Sequence, residues 1–192
     1  MSQNEATRGI FFYIWDFQNL RFYSKIYRFM TKKETYSQAQ LWMLVILRVS
    51  IGWHLLYEGV VKLMNPNWSA VGYLMDSKGI FSGLFHAMAG NPGVLQVVDF
   101  LNIWGLVLIG LGLILGIFTR LSIYAGIALL AFYYLSHPPL VDVTYAVPSE
   151  GNYLFINKTL IEMITLVVLS LFPTWRQVGL DRFIFDTKSV NA

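Results

Sequence analysis

A chain of 192 residues that is 56% hydrophobic and 13% charged, with mean hydropathy +0.53, is too apolar for an ordinary soluble domain and reads as an integral membrane protein. Its net charge of +3 belongs with membrane topology rather than with nucleic acid. The absence of cysteine excludes disulfides, iron–sulfur ligation, dithiol redox chemistry and covalent haem attachment, so any electron transfer has to use a borrowed carrier.

No short apolar core followed by a small-residue cleavage site opens the chain, and no signal peptide is expected. Residues 1–36 are aromatic and basic. Arg21, Lys25, Arg28 and Lys32 recur at helical spacing on one face, while Phe11, Trp15, Phe22, Ile26 and Phe29 lie on another. This pattern predicts an N-terminal interfacial amphipathic helix, either an orienting anchor or a docking surface for a soluble partner.

A first span is predicted over residues 41–64, long enough at about 1.5 Å per residue to cross a hydrocarbon core of roughly 30 Å. It carries Arg48, His54, Glu58 and Lys62. An ionisable group near the bilayer centre costs at least about 2.5 kcal/mol, so such groups face a bundle interior, a wet cavity or one another. Asn65, Pro66 and Asn67 end the span. Residues 79–90 are too short to span and too apolar for a free loop. They predict a short outer re-entrant or interfacial helix with Phe81, Leu84, Phe85 and Met88 down on one side.

The second predicted span, residues 94–118, carries Asp99 and Asn102 near its start. Gly105, Gly112 and Gly116 thin one side of it, and Gly112 with Gly116 forms a small-xxx-small pattern that permits close helix approach. The turn at Thr119 and Arg120 is so short that the third span, 121–137, packs antiparallel beside the second. His137, Pro138 and Pro139 end it, and the following loop carries Asp142 and Glu150. A fourth span, 153–172, contains Asn157, Lys158 and Glu162, and Pro173 stops it. The fold class is therefore all-α: a polytopic membrane protein with a four-transmembrane-helix bundle over residues 37–175 and a polar tail over 176–192.

Lysine and arginine set the expected orientation. They concentrate in the N-terminal region, at Arg120 and in the tail, at Arg176, Arg182 and Lys188, whereas the other two loops contribute only Lys78. The positive-inside rule puts both termini in the cytoplasm of a bacterial cell, with a multi-pass chain in its cytoplasmic (inner) membrane.

By depth, most of the buried polar groups then converge on the outer half. Glu58 with Lys62, and Lys158 with Glu162, are four residues apart and can pair on one helix face. Arg48 and Glu162 approach the midplane from opposite sides, which suggests a buried Arg–carboxylate pair. These charges either form a working cavity or clip the helices together, with hydrogen bonds worth only about 1 kcal/mol each in a membrane. His54 and Glu58 lack a second metal-ligand motif, and His54 and His137 differ in depth by something like 8–10 Å at the helical rise, too far for a shared haem. No metal, flavin or haem is predicted. Trp53, Tyr57, Tyr133 and Tyr134 can stack on a flat ring or simply pack.

Arg48, Gly52, Glu58-Gly59 and Lys62 in the first span, the glycine-rich run ending in Thr119-Arg120, Tyr134-Leu-Ser-His-Pro-Pro, and Asn157-Lys158-x-x-x-Glu162 together resemble the DoxX family. They are most similar to its DoxD-like branch, named for the membrane subunit of thiosulfate:quinone oxidoreductase. The resemblance covers roughly residues 41–181. It implies a four-helix membrane protein linked to redox chemistry at the quinone pool, working with a partner subunit that supplies electrons from thiosulfate.

The residues themselves allow a quinone as the one candidate cofactor. Glu58, Glu162 and His54 are the candidate catalytic groups, with His54 or Tyr57 able to hydrogen-bond a quinone carbonyl and Glu58 to exchange the proton. Trp53, Tyr57 and His137 are candidates for holding the ring. Arg48, Lys62, Asn157 and Lys158 either attract an anionic substrate or form structural ion pairs. The expected partners are the lipid bilayer, quinone, and a protein partner or second copy, with no nucleic acid. The competing reading is a non-catalytic membrane anchor or assembly partner of another redox or envelope enzyme. A transporter ranks third, because one four-helix unit shows no inverted repeat.

Overall fold

The computed structural model describes residues 36–140, 143–146 and 154–185. The chain divides into two units, residues 1–36 and 37–192. The interfacial helix expected in the first unit lies outside the described residues, as do Asp142 and Glu150 of the expected acidic loop.

The second unit is helical, with no strand among the described residues. Helix α1 spans Gln38–Leu63, α2 Val71–Met75, α3 Ser82–Gly90, α4 Pro92–Leu115, α5 Thr119–Ser136, α6 Lys158–Leu171 and α7 Asp181–Phe185, with a 3-10 turn at Thr174–Arg176. Local chemistry sets the ends. Ser37 and Gln40 exchange side-chain and backbone hydrogen bonds in a capping box that starts α1. Asn91 accepts from the amides of Gly93 and Val94, and Pro92 occupies the first helical position of α4. Gly116, in the left-handed region at φ 66°, closes that helix.

Helices α1 and α4 are long and apolar enough to cross a membrane. Helix α5 has 18 residues and α6 has 14. The fourth expected span starts later than residue 153 because the Asn157 side chain accepts from the Leu160 amide and fixes the helix start at Lys158. At the helical rise α6 alone is about 21 Å long, short of a core of roughly 30 Å.

The four long helices share one core. Leu55 of α1, Leu106, Ile109 and Leu113 of α4, Ile123 and Leu130 of α5, and Leu166 and Leu169 of α6 are buried together, with Trp175 beneath them. Large apolar side chains also cover the outside, among them Trp42, Ile46, Phe100, Leu108, Phe132 and Ile164. An apolar exterior of that extent suits lipid as its surroundings.

Of the glycines expected to permit close approach, Gly112 does so, since a Cβ there would lie 3.1 Å from the Ser122 Cβ of α5; α1 and α4 approach at two others. A Cβ on Gly110 would lie 2.5 Å from the Leu56 nitrogen, and one on Gly52 would lie 3.0 Å from the Gly110 carbonyl oxygen. Gly105 faces open space, and Gly116 serves as the helix cap. The α1–α4 seam is thus Gly52 against Gly110, each supplied by a different helix, which a one-helix motif does not reveal.

A smaller cluster of Ala70, Leu74, Phe85 and Ala89 seats α3 on α2 and on Leu95 and Val98 of α4. Phe85 and Met88 face protein as expected, while Phe81 and Leu84 are exposed. The inward stripe is rotated toward Ala89, because α3 packs along its Phe85–Ala89 edge.

The stretch after residue 172 folds back instead of leaving the bundle as a tail. Leu180 N donates to Leu115 O and Asp181 N to Gly116 O, while the Asp181 carboxylate accepts from the amides of Phe118 and Thr119. Arg48, 2% exposed, donates from Nη1 to Thr174 Oγ1 at 3.3 Å and from Nη2 to the Val178 carbonyl at 2.9 Å. The expected Arg48–Glu162 pair is therefore not formed. The returning segment offers the guanidinium nearer acceptors at its own end of the bundle.

Candidate functional site

The polar side chains gather at the other end, where α1 and α5 finish and α4 and α6 begin. On α1, His54, Glu58 and Lys62 are spaced by four residues and share one face. That face looks into a cavity of about 570 Å³, which Asn102, Leu106, Leu130, Tyr133, His137, Asn157, Lys158 and Glu162 also line.

Two polar arrangements reach into it. In the first, His54 Nε2 lies 3.3 Å from Glu162 Oε1, joining α1 to α6. In the second, Lys62 Nζ donates to Asn102 Oδ1 at 3.0 Å, and Asn102 Nδ2 donates to the Tyr133 hydroxyl at 2.7 Å, joining α1, α4 and α5. Glu58 Oε2 stands 3.9 Å from Lys62 Nζ. The ammonium also sits 5.1 Å from the centre of the Trp68 ring and 5.5 Å from that of Tyr133. Two ring faces, a carboxylate and an amide thus surround the Lys62 amine in an otherwise apolar setting.

The short helix α2 and the segment after α5 supply the mouth of the cavity. The His137 ring stacks on Tyr73 with centroids 3.9 Å apart and leans on Tyr145 at 4.6 Å. Tyr73 donates to the Tyr133 carbonyl oxygen, and Tyr145 to the Pro138 carbonyl oxygen. His137 Nε2 is 3.8 Å from Asp76 Oδ2. Burial pushes the Tyr73 hydroxyl well up and, more modestly, that of Tyr145, so both remain neutral donors. Burial also lowers His137 from its ordinary value, against the opposing pull of Asp76, and favours the neutral ring.

Of the residues singled out from the sequence, His54, Glu58, Lys62, His137, Asn157, Lys158 and Glu162 line this one cavity. Asn157 doubles as the cap of α6. Three others lie elsewhere. Trp53 and Tyr57 are 63% and 60% exposed, one position before His54 and Glu58 and so turned by about 100° onto the outer face of α1. Arg48 belongs to the opposite end.

Sequence reasoning assigned no site role to Asn102, Tyr73, Tyr145, Trp68 or Asp76. Asn102 carried a usable signal, since it is a polar side chain just ahead of an uninterrupted apolar run. The aromatic residues Trp68, Tyr73 and Tyr145 carried none, because they lie outside the long periodic helices and no helical period marks their contacts.

Chemically, the cavity offers hydroxyl donors, the amines of Lys62 and Lys158, an imidazole beside a buried carboxylate and a second carboxylate nearer the opening. Such a set can hydrogen-bond carbonyl oxygens and relay protons. Among the described residues, no group of three or more His, Asp or Glu side chains is placed to hold a metal ion.

The DoxX family model matches residues 43–138, half of the chain. The matched stretch carries His54, Glu58, Lys62, Asn102, Tyr133 and His137, and stops before Glu162. No curated protein and no solved structure matches the chain.

Proposed function

The chain belongs to the DoxX family, and on that premise we propose that its cavity is the quinone site of the membrane subunit of a quinone-linked oxidoreductase. In this reading α5 and α6 cross the bilayer with α1 and α4, their shorter lengths made up by flanking segments. The chain is multi-pass in the bacterial cytoplasmic membrane with both termini in the cytoplasm, and the cavity opens outward. Electrons come from a partner subunit that oxidises a reduced substrate, for which the DoxD-like likeness suggests thiosulfate.

The observation that carries this reading is the convergence of polar side chains from all four long helices, His54, Glu58 and Lys62 of α1, Asn102 of α4, Tyr133 of α5 and Lys158 and Glu162 of α6, on one cavity of about 570 Å³, within the range of roughly 300–1,000 Å³ that holds small ligands. A quinone accepts two electrons and two protons to become a quinol. The His54–Glu162 pair delivers one proton and Glu58, near the opening, passes in the other. Lys62 and Tyr133 bind the ring oxygens, favouring the reduced form as negative charge develops on them.

Mass spectrometry of the lipophilic molecules retained after purification in mild detergent tests this. A stoichiometric quinone in the wild type, depleted in Lys62→Met, supports the site. A protein free of quinone that also reduces none when given a chemical donor overturns it.

A second reading is a non-catalytic membrane partner that anchors or stabilises another enzyme. The same cross-helix contacts, His54 with Glu162 and Lys62 with Asn102, favour it, since they clip α6 and α4 to α1. Loss of assembly in Lys62→Met, with unchanged turnover in whatever assembled protein remains, is the outcome that selects it.

A further inference from the structure

The end of the bundle away from this cavity holds a second one, also about 570 Å³, built from the start of α5 and the returning segment. Arg120, Arg176 and Arg182 surround it, and all three side chains are exposed. No carboxylate lies within ion-pair distance of these guanidiniums among the described residues. Among the described residues, Arg182 touches the Gln177 carbonyl at 3.4 Å and lies over the Phe183 ring.

The acidic side chain in the wall is already committed. Asp181, 4% exposed, accepts from the Phe118 and Thr119 amides with one oxygen each. Its charge is held by the positive end of α5, so it does not neutralise the arginine rim. The next amides of that first turn, at Arg120 and Leu121, have no intrahelical acceptor by construction. Thr119, which also lines the cavity, has a buried hydroxyl with no hydrogen-bond partner.

One wall is apolar and faces outward: Phe118 is 56% exposed and Leu121 69% exposed, with Trp175 buried behind them. A soluble anion would leave that wall in water, whereas an amphiphile covers it. The geometry points to an anionic-lipid site, with a phosphodiester headgroup among Arg120, Arg176 and Arg182 and its acyl chains along Phe118 and Leu121. The site rests on the membrane setting but not on the quinone reading. Three cations at the predicted cytoplasmic side agree with the lipid chemistry of that leaflet.

Native mass spectrometry of the full chain in detergent, titrated with phosphatidylglycerol, phosphatidylcholine or inorganic phosphate, tests it. Phosphatidylglycerol is expected to be retained and phosphatidylcholine not, with no displacement by inorganic phosphate. Each arginine near the surface contributes about fivefold, so Arg176→Gln weakens retention by about that factor and the triple Gln variant by roughly 100-fold.

Among the described residues the Arg176 side chain makes no hydrogen bond or ion pair, so the single variant is expected to fold and decides the matter even where the triple variant does not. Equal retention of the two lipids, or undiminished phosphatidylglycerol retention in Arg176→Gln, overturns the site. Displacement by inorganic phosphate at the lipid's own concentration overturns the lipid as its occupant.

Discussion

His54 and Glu162 stand 3.3 Å apart across the α1–α6 contact although 108 positions separate them in the chain. The Glu162 side chain keeps only 11% of its exposure while that of His54 keeps 31%, so the carboxylate is the buried partner and the imidazole its link to the cavity. Glu162→Gln preserves the size and the hydrogen bond but removes the proton-carrying oxygen. Quinone reduction is expected to fall by about 10²–10⁴, the usual contribution of a positioned acid or base, with little change in melting temperature. Glu162→Leu removes the acceptor as well and lowers stability by about 1 kcal/mol. Wild-type turnover in Glu162→Gln would sink the catalytic role of this pair.

The Gly52–Gly110 seam predicts a contrast between two alanine substitutions on one helix. Gly110→Ala drives a methyl against the Leu56 backbone and the Gly52 carbonyl, and α1 has to back away. Overpacking of this kind costs about 1–3 kcal/mol. Gly105→Ala meets nothing within 4 Å and gains helix propensity of up to about 1 kcal/mol. Thermal unfolding in detergent should separate the two variants in opposite directions. Equal melting temperatures would show that α1 and α4 do not touch backbone to backbone here.

Much of this arrangement was legible before any coordinates, for a simple reason. His54, Glu58 and Lys62 recur every four residues, which fixes a common face, and burial of charge is costly enough that the face has to meet polar partners. Asn157, Lys158 and Glu162 followed from the same logic on α6. What stayed hidden depends on contacts with no local period. Arg48 takes its acceptors from residues 174 and 178 only because the segment after Pro173 turns back, and nothing in the helical pattern announces that turn. Tyr73 reaches His137 from the short helix α2 and Tyr145 from the loop after α5. Trp53 and Tyr57 stand outside the cavity lining, because one position along a helix turns a side chain onto a different face.

His137 makes stability depend on pH. It follows the last turn of α5, with Asp76 3.8 Å from its Nε2 and the Tyr73 and Tyr145 rings against it; Lys78 is the nearby cation. Burial lowers its proton affinity in the folded state, whereas the unfolded chain titrates near the ordinary value of about 6.5. As pH falls through that value, the unfolded state takes up a proton before the folded state does, so this contribution to stability is present above about pH 6.5 and is lost on acidification. The melting temperature should drop between about pH 7.5 and 5.5, and drop less in His137→Asn. Parallel pH profiles for the two proteins would assign the acid sensitivity to another group.

Arg48 and Asp181 hold the returning segment from two sides, and they should fail differently. Arg48 spends two separate guanidinium nitrogens on Thr174 and the Val178 carbonyl. Lysine presents one compact ammonium and cannot serve both acceptors, so Arg48→Lys should behave nearly as badly as Arg48→Met. Either change leaves a buried acceptor short of a donor, at about 1–3 kcal/mol. Asp181 uses both carboxylate oxygens on the first amides of α5. Asp181→Asn keeps one acceptor oxygen and loses the other, costing about 0.5–2 kcal/mol as for a helix cap. Hydrogen exchange followed by mass spectrometry distinguishes the two losses. Arg48→Lys should speed exchange across residues 174–181 while leaving the start of α5 protected. Asp181→Asn should expose the amides of Phe118 and Thr119 first. The backbones of Gly116 and Gly179 meet where a side chain on either would clash, so the segment has one seat, and loosening it at either anchor should register there. Wild-type exchange over residues 174–181 in Arg48→Lys would mean that this backbone contact, rather than the guanidinium, keeps the segment in place.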